Sequence, residues 1–361
     1  MSLLTEMNEK ALDLGIPLSV HMDVTYRCNE RCVHCYLDHD DHGEMTTAEI
    51  KDILDQISDA GVFFLTFSGG EVLMRRDFFE IVEYARRLQF NVKVKTNAVM
   101  IHEKEAKRLR DLGVEQIQIS VYSHRPEVHD AITKLPGSLK RTIAAIKFLK
   151  AQGLKVTIAN VLMTPNLADG AGVMALAGEL GVSYTVDPTI TPKMDGDRSV
   201  LRLRAPAAEI RQMFQNKALV GDVEEFCAPP PPPDEGIMEG YPCSAGHTSC
   251  YVSPYGDVFP CVQFPLPSGN LRTQKFLDIW RNSSELKEVR SIRAKHLPTC
   301  STCSHVGTCT RCPGLAYMEG SMRGPSTADC EKSFLRTGIP SANMLNQARM
   351  NAGPLVQIRA Q

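Results

Sequence analysis

Eleven of the twelve cysteines in this chain fall in two fields, and that distribution limits what the chain can fold into. Cys28, Cys32 and Cys35 crowd into eight residues, CNERCVHC, directly after a short apolar run. Eight more lie between Cys243 and Cys330, residues 36–226 hold none, and Cys227 stands apart. Whether such clusters are disulfides or metal sites depends on the compartment. The start of the chain, MSLLTEMNEKALDLGIPLSV, carries Glu6 and Glu9 and lacks the apolar core of a signal peptide. No stretch reaches the ~18 apolar residues that span a bilayer. The chain is therefore expected in the cytoplasm, where clustered cysteines bind metal or carry redox chemistry. With 40 basic and 42 acidic residues, a net charge of −2 gives no electrostatic reason for a nucleic-acid or membrane partner.

Upstream of residue 206, β-rich runs alternate with helical periodicity. The runs are SVHMDV (19–24), FFLTF (63–67), VKVKT (92–96), QIQISV (116–121), KVTIANVLM (155–163) and VSYTV (182–186). Between the first two, Thr46-Thr-Ala-Glu49 reads as a capping box ahead of Ile50, Ile53, Leu54 and Ile57, with Gly61 as the stop. This alternation predicts an α/β fold, a partial, splayed (β/α)6 barrel of the TIM type, whose chemistry belongs at the C-terminal ends of the strands. Near residue 206 the rhythm fails. AAEIRQMF leads to Cys227 and then to five consecutive prolines, Pro229–Pro233, which favour an extended spacer. A docking site for a proline-reading partner is the alternative. The expected organisation is a lead-in over 1–18, the barrel over 19–215, a Pro-rich linker over 216–240, a cysteine-rich α+β domain over 241–335 and a partly helical tail over 336–361. The cysteine-rich part has few long apolar runs, so metal is expected to hold it together.

The spacing C-x3-C-x2-C sits on the loop after the first strand. A zinc ribbon would supply two separated pairs and four ligands. Three thiolates on a four-iron cluster leave one iron with an open position, as metal sites that do chemistry require. These residues resemble the signature of the radical S-adenosylmethionine superfamily, C-x3-C-x-aromatic-C, with His34 at the position usually aromatic. Ser68-Gly69-Gly70-Glu71, after the second strand, resembles the family's GGE motif. The resemblance implies that the open iron binds S-adenosylmethionine, which is cleaved by an electron from the cluster to give a 5′-deoxyadenosyl radical that takes hydrogen from substrate. It further implies cofactor contacts from Ser68, Gly69, Gly70 and Glu71, and from Thr96, Asn97 and Ser120 at later strand ends. Arg141, on a following helix, is expected to pair with the cofactor carboxylate. The adenine-side G-x-I-x-G-x-x-E pattern of some members is not evident around Thr157–Thr164.

The second field resembles the SPASM extension of that superfamily, C-x(9–15)-G-x4-C, then C-x2-C-x5-C-x3-C, then C. Here Cys243, twelve residues, Gly256, four residues and Cys261 are followed by Cys300, Cys303, Cys309, Cys312 and Cys330. The interval from Cys309 to Cys312 is two residues where the pattern has three. The resemblance implies two auxiliary four-iron clusters, one held by Cys243, Cys250, Cys261 and Cys312, the other by Cys300, Cys303, Cys309 and Cys330. Three [4Fe–4S] clusters would then use every cysteine but Cys227. Two zinc sites remain the alternative for the C-terminal field.

Tyr122-Ser-His-Arg-Pro-Glu-Val-His-Asp-Ala-Ile-Thr133 with Pro136-Gly137-Ser138, and Tyr255-Gly-Asp-Val-Phe-Pro-Cys261, look like the peptide-modifying members. The expected reaction is therefore an oxidative crosslink, a thioether or a C–C or C–O bond, in a ribosomally made precursor peptide. His124, Arg125, Glu127 and His129 can contact a peptide at the barrel mouth or form a solvated loop. The first strand starts near residue 19, so leader recognition is expected from a separate small protein, and electrons from a flavodoxin- or ferredoxin-type reductant. Peptide epimerisation, with Cys227 as hydrogen-atom donor, would use the same radical for a different outcome. A sulfatase-type maturase, a haem-pathway radical enzyme and a non-catalytic iron–sulfur electron carrier also stay open at this level of resemblance.

Overall fold

A computed structural model describes residues 3–37 and 39–351. It divides into one unit running to Pro206 and including Ser244–Arg290, and a second made of Ala207–Cys243 and the chain from Ser291 onward. The end of the predicted tail, 352–361, lies outside the described residues. Among those described, no helix is long and apolar enough to cross a membrane.

The first unit is built on strands β1 (Ser19–Thr25), β2 (Phe64–Gly69), β3 (Asn91–Thr96), β4 (Gln116–Ser120), β5 (Lys155–Val161) and β6 (Ser183–Asp187). Each pairs in parallel with the next, as the βα alternation requires. This is the parallel sheet of a partial TIM barrel. Three further strands, β7 (Ser249–Val252), β8 (Asp257–Phe259) and β9 (Gly269–Asn270), extend it in the order β6-β5-β4-β3-β2-β1-β7-β8-β9. β7 joins β1 in parallel, Val20 opposite Cys250, so part of the cysteine-rich sequence continues the barrel sheet. Cys250, Val252 and Val258 belong to the same apolar core as Phe276, Ile279 and Trp280.

Alternation along the strands sorts the residues to two faces. Val20, Met22, Val24, Leu65, Phe67, Val92, Val94, Ile117, Ile119, Val156 and Ile158 are buried in the core, which the helices cover. The helix Thr47–Asp59 shows how the local sequence achieves this. Its Thr46–Glu49 capping box is formed, and Ile50, Ile53, Leu54 and Ile57 are all buried. The opposite phase carries His21, Asp23, Thr66, Ser68, Lys93, Lys95, Gln116, Gln118 and Ser120, a polar inner face at the mouth of which the strand ends meet.

The second unit is mostly helical, with Ala207–Phe214, Val223–Cys227, Glu235–Glu239, Pro313–Met318 and Thr327–Thr337 as its main segments. Pro229–Pro233 runs between two of these, and Asp234 caps the next helix by accepting from the Ile237 N–H at 2.8 Å. Apolar burial is sparse, and Arg293 stacked 3.8 Å over the Tyr241 ring supplies some of the cohesion.

Candidate functional site

The cysteine loop leaves the end of β1 under strong restraint. Thr25 Oγ1 and the Tyr26 N–H both donate to Glu44 Oε1 (2.6 and 2.9 Å), and Arg27 donates to Glu44 Oε2. Arg75, buried and paired with Asp77, donates to the Val24 carbonyl at 2.9 Å. Further along, the Arg31 and Val33 N–H groups donate to Thr133 and Ile132 carbonyls, and Cys35 N–H closes a turn on Cys32. Cys32 and Cys35 line a cavity of about 490 Å³ with Arg31, Tyr36, Lys193 and Met194. Burial pushes the Cys28 thiol up to about 12 and those of Cys32 and Cys35 upward as well. Thiols so disfavoured as free anions become thiolates when a cation compensates them, which fits an iron–sulfur group. Among the described residues no three His, Cys, Asp or Glu side chains converge on the spacing of one metal ion.

His34, expected with the cofactor-binding set, packs its ring edge-on to Tyr122 at 4.8 Å. Burial lowers its pKa to about 4, and its Nδ1 is buried without a hydrogen-bond partner. It therefore behaves as the aromatic ring the motif ordinarily carries.

Gly69 and Gly70 are required by backbone packing. Gly69 has φ +144°, and a Cβ there would lie 2.1 Å from the Thr25 carbonyl oxygen; at Gly70 it would lie 2.4 Å from the carbonyl oxygens of Tyr26 and Arg27. In that space the Gly70 and Glu71 N–H groups donate to Thr25 and Arg27 (2.8 and 2.9 Å), tying this loop to the cysteine loop. The close approach seen here is thus of backbone to backbone. Glu71 is fully buried, and its carboxylate accepts from Thr96 Oγ1 (2.8 Å to each oxygen), the Asn97 N–H (2.8 Å) and the Leu73 N–H (3.1 Å). Asn97 Nδ2 donates to Asn29 Oδ1 at 2.7 Å, beside Cys28. Five predicted residues, Gly69, Gly70, Glu71, Thr96 and Asn97, are therefore joined in one network with the first cysteine. Ser68 is buried at the end of β2, and Ser120 closes β4. Arg141 is exposed and donates to the Pro136 and Gly137 carbonyls. Its charge acts on Glu30, whose pKa burial raises to about 7.

The fold adds residues that no motif singles out. Tyr251 Oη donates to Asp23 Oδ2 at 2.9 Å and lies 2.6 Å from Tyr26 Oη, while His21 Nε2 stands 3.3 Å from Asp23 Oδ1. Lys95 keeps water-accessible surface on the concave inner face yet is enclosed by protein on most sides, which lowers its pKa against the pull of Asp23. The readable signal was the phase of β1 and β3, where polar residues alternate with core residues.

The four residues placed at the mouth separate. Arg125 makes a two-pronged pair with buried Asp169 (2.8 and 3.2 Å), and His124 lies 3.9 Å from the same carboxylate. Glu127 is exposed. His129 is instead a core residue, 1% exposed, stacked on Tyr122 and accepting its N–H at 3.2 Å. Burial lowers the His129 pKa from 6.5 to about 4. The unfolded chain therefore binds the extra proton first, and this group's contribution to stability is complete above pH 6.5 and lost as pH falls toward 4. Chemical denaturation at pH 7 and pH 5 should show wild type losing about 2 kcal/mol that His129→Gln does not lose.

The C-terminal cysteines divide between the units. Cys250 is buried on β7 with Cys261 close enough to raise its pKa further, both in the first unit. Cys243 and Cys312 belong to the second; Cys312 caps the helix Pro313–Met318, and its N–H donates to Asp329. Cys300, Cys303, Cys309 and Cys330 together line one cavity of about 290 Å³, a donor set suited to a four-iron cluster. Cys227 packs among second-unit helices, its thiol donating to the Phe214 carbonyl and accepting from Gln215.

Comparison with known proteins shows the family. The radical SAM superfamily profile matches residues 22–173, and that of the SPASM iron–sulfur cluster-binding domain matches 243–304. The AdoMet-dependent heme synthase of Methanosarcina barkeri is 31% identical over 327 residues, 83% of this chain and 92% of that one. The mycofactocin maturase MftC of Mycobacterium tuberculosis is 31% identical over 320 residues, 85% of this chain and 80% of that one. Among solved structures, Streptococcus suis SuiB bound to its precursor peptide SuiA superposes with a TM-score of 0.72 at 18% identity, covering 90% of this chain and 78% of that one, a likeness of fold.

Proposed function

Since the chain belongs to the radical S-adenosylmethionine superfamily and carries the SPASM iron–sulfur domain, we propose that it modifies a ribosomally made precursor peptide. The product is an oxidative crosslink, a thioether or a carbon–carbon or carbon–oxygen bond. The chain is an enzyme whose cofactors are three [4Fe–4S] clusters and S-adenosylmethionine. When bound, these supply the electron that splits S-adenosylmethionine and the 5′-deoxyadenosyl radical that takes hydrogen from substrate. Cys28, Cys32 and Cys35 hold one cluster with a position left open. Cys243, Cys250, Cys261 and Cys312 hold a second, and Cys300, Cys303, Cys309 and Cys330 a third.

The chain's own residues do the positioning. Glu71 locks the ends of β2 and β3 together, so that Ser68, Thr96 and Asn97 present fixed groups to the cofactor. Ser120 and Arg141 complete that set. The polar inner face, with Lys95 and Asp23, receives the substrate. The observation that carries the radical chemistry is the three-thiol loop, hydrogen-bonded to the Gly-Gly-Glu turn and opening on a cavity that Lys193 and Met194 help to line. A peptide substrate is supported by the likeness to a mycofactocin maturase and by the segment Tyr122–Thr133. A separate leader-binding protein and a flavodoxin- or ferredoxin-type reductant complete the system.

The equal identity to a heme synthase favours a second reading, in which the substrate is a tetrapyrrole. Reconstituted enzyme with S-adenosylmethionine and dithionite should form 5′-deoxyadenosine in step with the loss of two hydrogens from the precursor peptide, read by mass spectrometry. Turnover of a tetrapyrrole and not of peptide would establish the second reading, and 5′-deoxyadenosine from neither would sink both.

A further inference from the structure

In the second unit, the cavity lined by Cys300, Cys303, Cys309 and Cys330 is also lined by Arg311, Ser333 and Ser341. Arg311 acts on Cys300, Ser333 on Cys309 and Ser341 on Cys330, and the Ala342 N–H donates to Cys303 Sγ at 3.4 Å. All three side chains are buried. Arg311 is the unusual member. Its Nε and Nη2 are fixed by the carbonyls of Gly324 (2.9 and 2.6 Å) and Met322 (2.5 Å). Its Nη1 is buried without a hydrogen-bond partner, and no carboxylate pairs with the guanidinium among the described residues. The one acid lining the cavity, Asp329, is already paired with Lys332 at 2.8 Å.

A guanidinium stays charged at any accessible pH, and burying one unpaired is costly. This one has been brought to the wall of a four-thiol cavity and held there by backbone carbonyls. Its missing counter-charge is an anion in the cavity. A four-iron cluster with four thiolate ligands is such an anion, and it gains one further negative charge on taking up one electron. Nearby cations and hydrogen bonds to sulfur stabilise the more negative, reduced form. No proton need follow the electron, because the charge on Arg311 is permanent.

We propose that Arg311 is the counter-charge of the cluster held by Cys300, Cys303, Cys309 and Cys330, and that it raises the reduction potential of that cluster so that it readily takes an electron. This rests on the reading that those four cysteines hold a cluster. Ser333, Ser341 and the Ala342 N–H act in the same direction with neutral dipoles, and so more weakly.

The test is a potentiometric titration followed by electron paramagnetic resonance. It uses the full-length reconstituted protein with Cys28, Cys32 and Cys35 replaced by alanine, so that only the auxiliary clusters are observed. Arg311→Met should lower the reduction equilibrium of one cluster at least tenfold, a midpoint about 59 mV more negative. Arg311→Lys, which keeps the charge, should stay within a few-fold of the parent. Ser341→Ala should shift the same midpoint in the same direction by less. If Arg311→Met retains its iron and both midpoints stand unchanged, the proposal is overturned. If that variant loses iron because the Met322–Gly324 turn opens, Ser341→Ala decides, and an unmoved midpoint there overturns it equally. Failure of the cluster reading itself looks different: Cys303→Ala would then keep the full iron content.

Discussion

Cys32→Ala should abolish cleavage of S-adenosylmethionine while leaving most of the protein's iron in place. Anaerobically reconstituted wild type should carry about twelve irons per chain, and the variant about eight. The reason lies in how the three thiols are presented. Cys32 and Cys35 open on one cavity, and the Cys28 sulfur accepts the Glu30 N–H at 3.4 Å. The loop bearing them is tethered at its start by Glu44 and later by Thr133 and Ile132, so it has no freedom to recruit a distant replacement ligand. With one thiolate gone, two protein ligands cannot retain four irons against loss to solvent, and metal binding here is part of what orders the loop. 5′-Deoxyadenosine formation should fall by at least about 10³-fold, roughly 4 kcal/mol of lost transition-state stabilisation. Cys227→Ala, as a control on a cysteine outside every proposed cluster, should keep all twelve or so irons. Retention of all twelve or so irons together with turnover in Cys32→Ala would overturn the assignment of Cys32 as a ligand of the reactive cluster.

The parts of this protein that could be read directly were those where a local pattern meets a local requirement. The Thr46–Glu49 box and the isoleucines that follow it are a single helix's affair, and they stand in the structure as spelled in the sequence. The six β-rich runs likewise stand as parallel strands, because each is a short run of strand-forming residues set between helical segments. The cysteine loop was legible because its chemistry depends on spacing along the chain. What escaped depends on pairing between distant segments. Strand β7 has four residues, too short to register a period, and its place is set by β1, more than two hundred residues away. Asp23 and Lys95 carry no signal of their own, since a polar residue facing an enclosed concave surface and one facing bulk water are spelled alike. His129 shows the reverse case: in a stretch that read as a polar mouth, one turn of helix carries it inward to stack on Tyr122. For Arg141 the helix position was legible and the side-chain path, folded onto the Pro136 and Gly137 carbonyls, was not, because only the local backbone decides it.

Replacing Glu71 should do more damage than any other single change outside the cysteines. Its carboxylate is fully buried and satisfies three donors drawn from two strand ends, the Thr96 hydroxyl and the N–H groups of Asn97 and Leu73. Burial raises the Glu71 pKa while those donors oppose the shift, so the ionised group is tolerated only because the donors surround it. Glu71→Ala strips the acceptor from all three and leaves them dry. Each orphaned donor costs about 1–3 kcal/mol, and, because they share one site and relax together, the sum should come to about 3–5 kcal/mol in chemical denaturation. Glutamine does not restore the site. The Leu73 N–H bonds Oε1 and the Asn97 N–H bonds Oε2, so an amide in either orientation turns its NH₂ against one of them. Glu71→Gln should therefore lose about 1–2 kcal/mol, less than alanine because it also removes the cost of a buried charge. The same hydrogen bonds fix Asn97, whose amide reaches Asn29 beside Cys28, so affinity for S-adenosylmethionine should follow stability in order. Equilibrium dialysis should find it at least about 30-fold weaker in Glu71→Ala, inside the roughly 10–100-fold range seen when an outer-shell partner of a metal site is removed, and about threefold to tenfold weaker in Glu71→Gln. A Glu71→Gln enzyme with wild-type stability and affinity would mean that the carboxylate is carried protonated and neutral, and that its role is to fill space between β2 and β3 rather than to orient them.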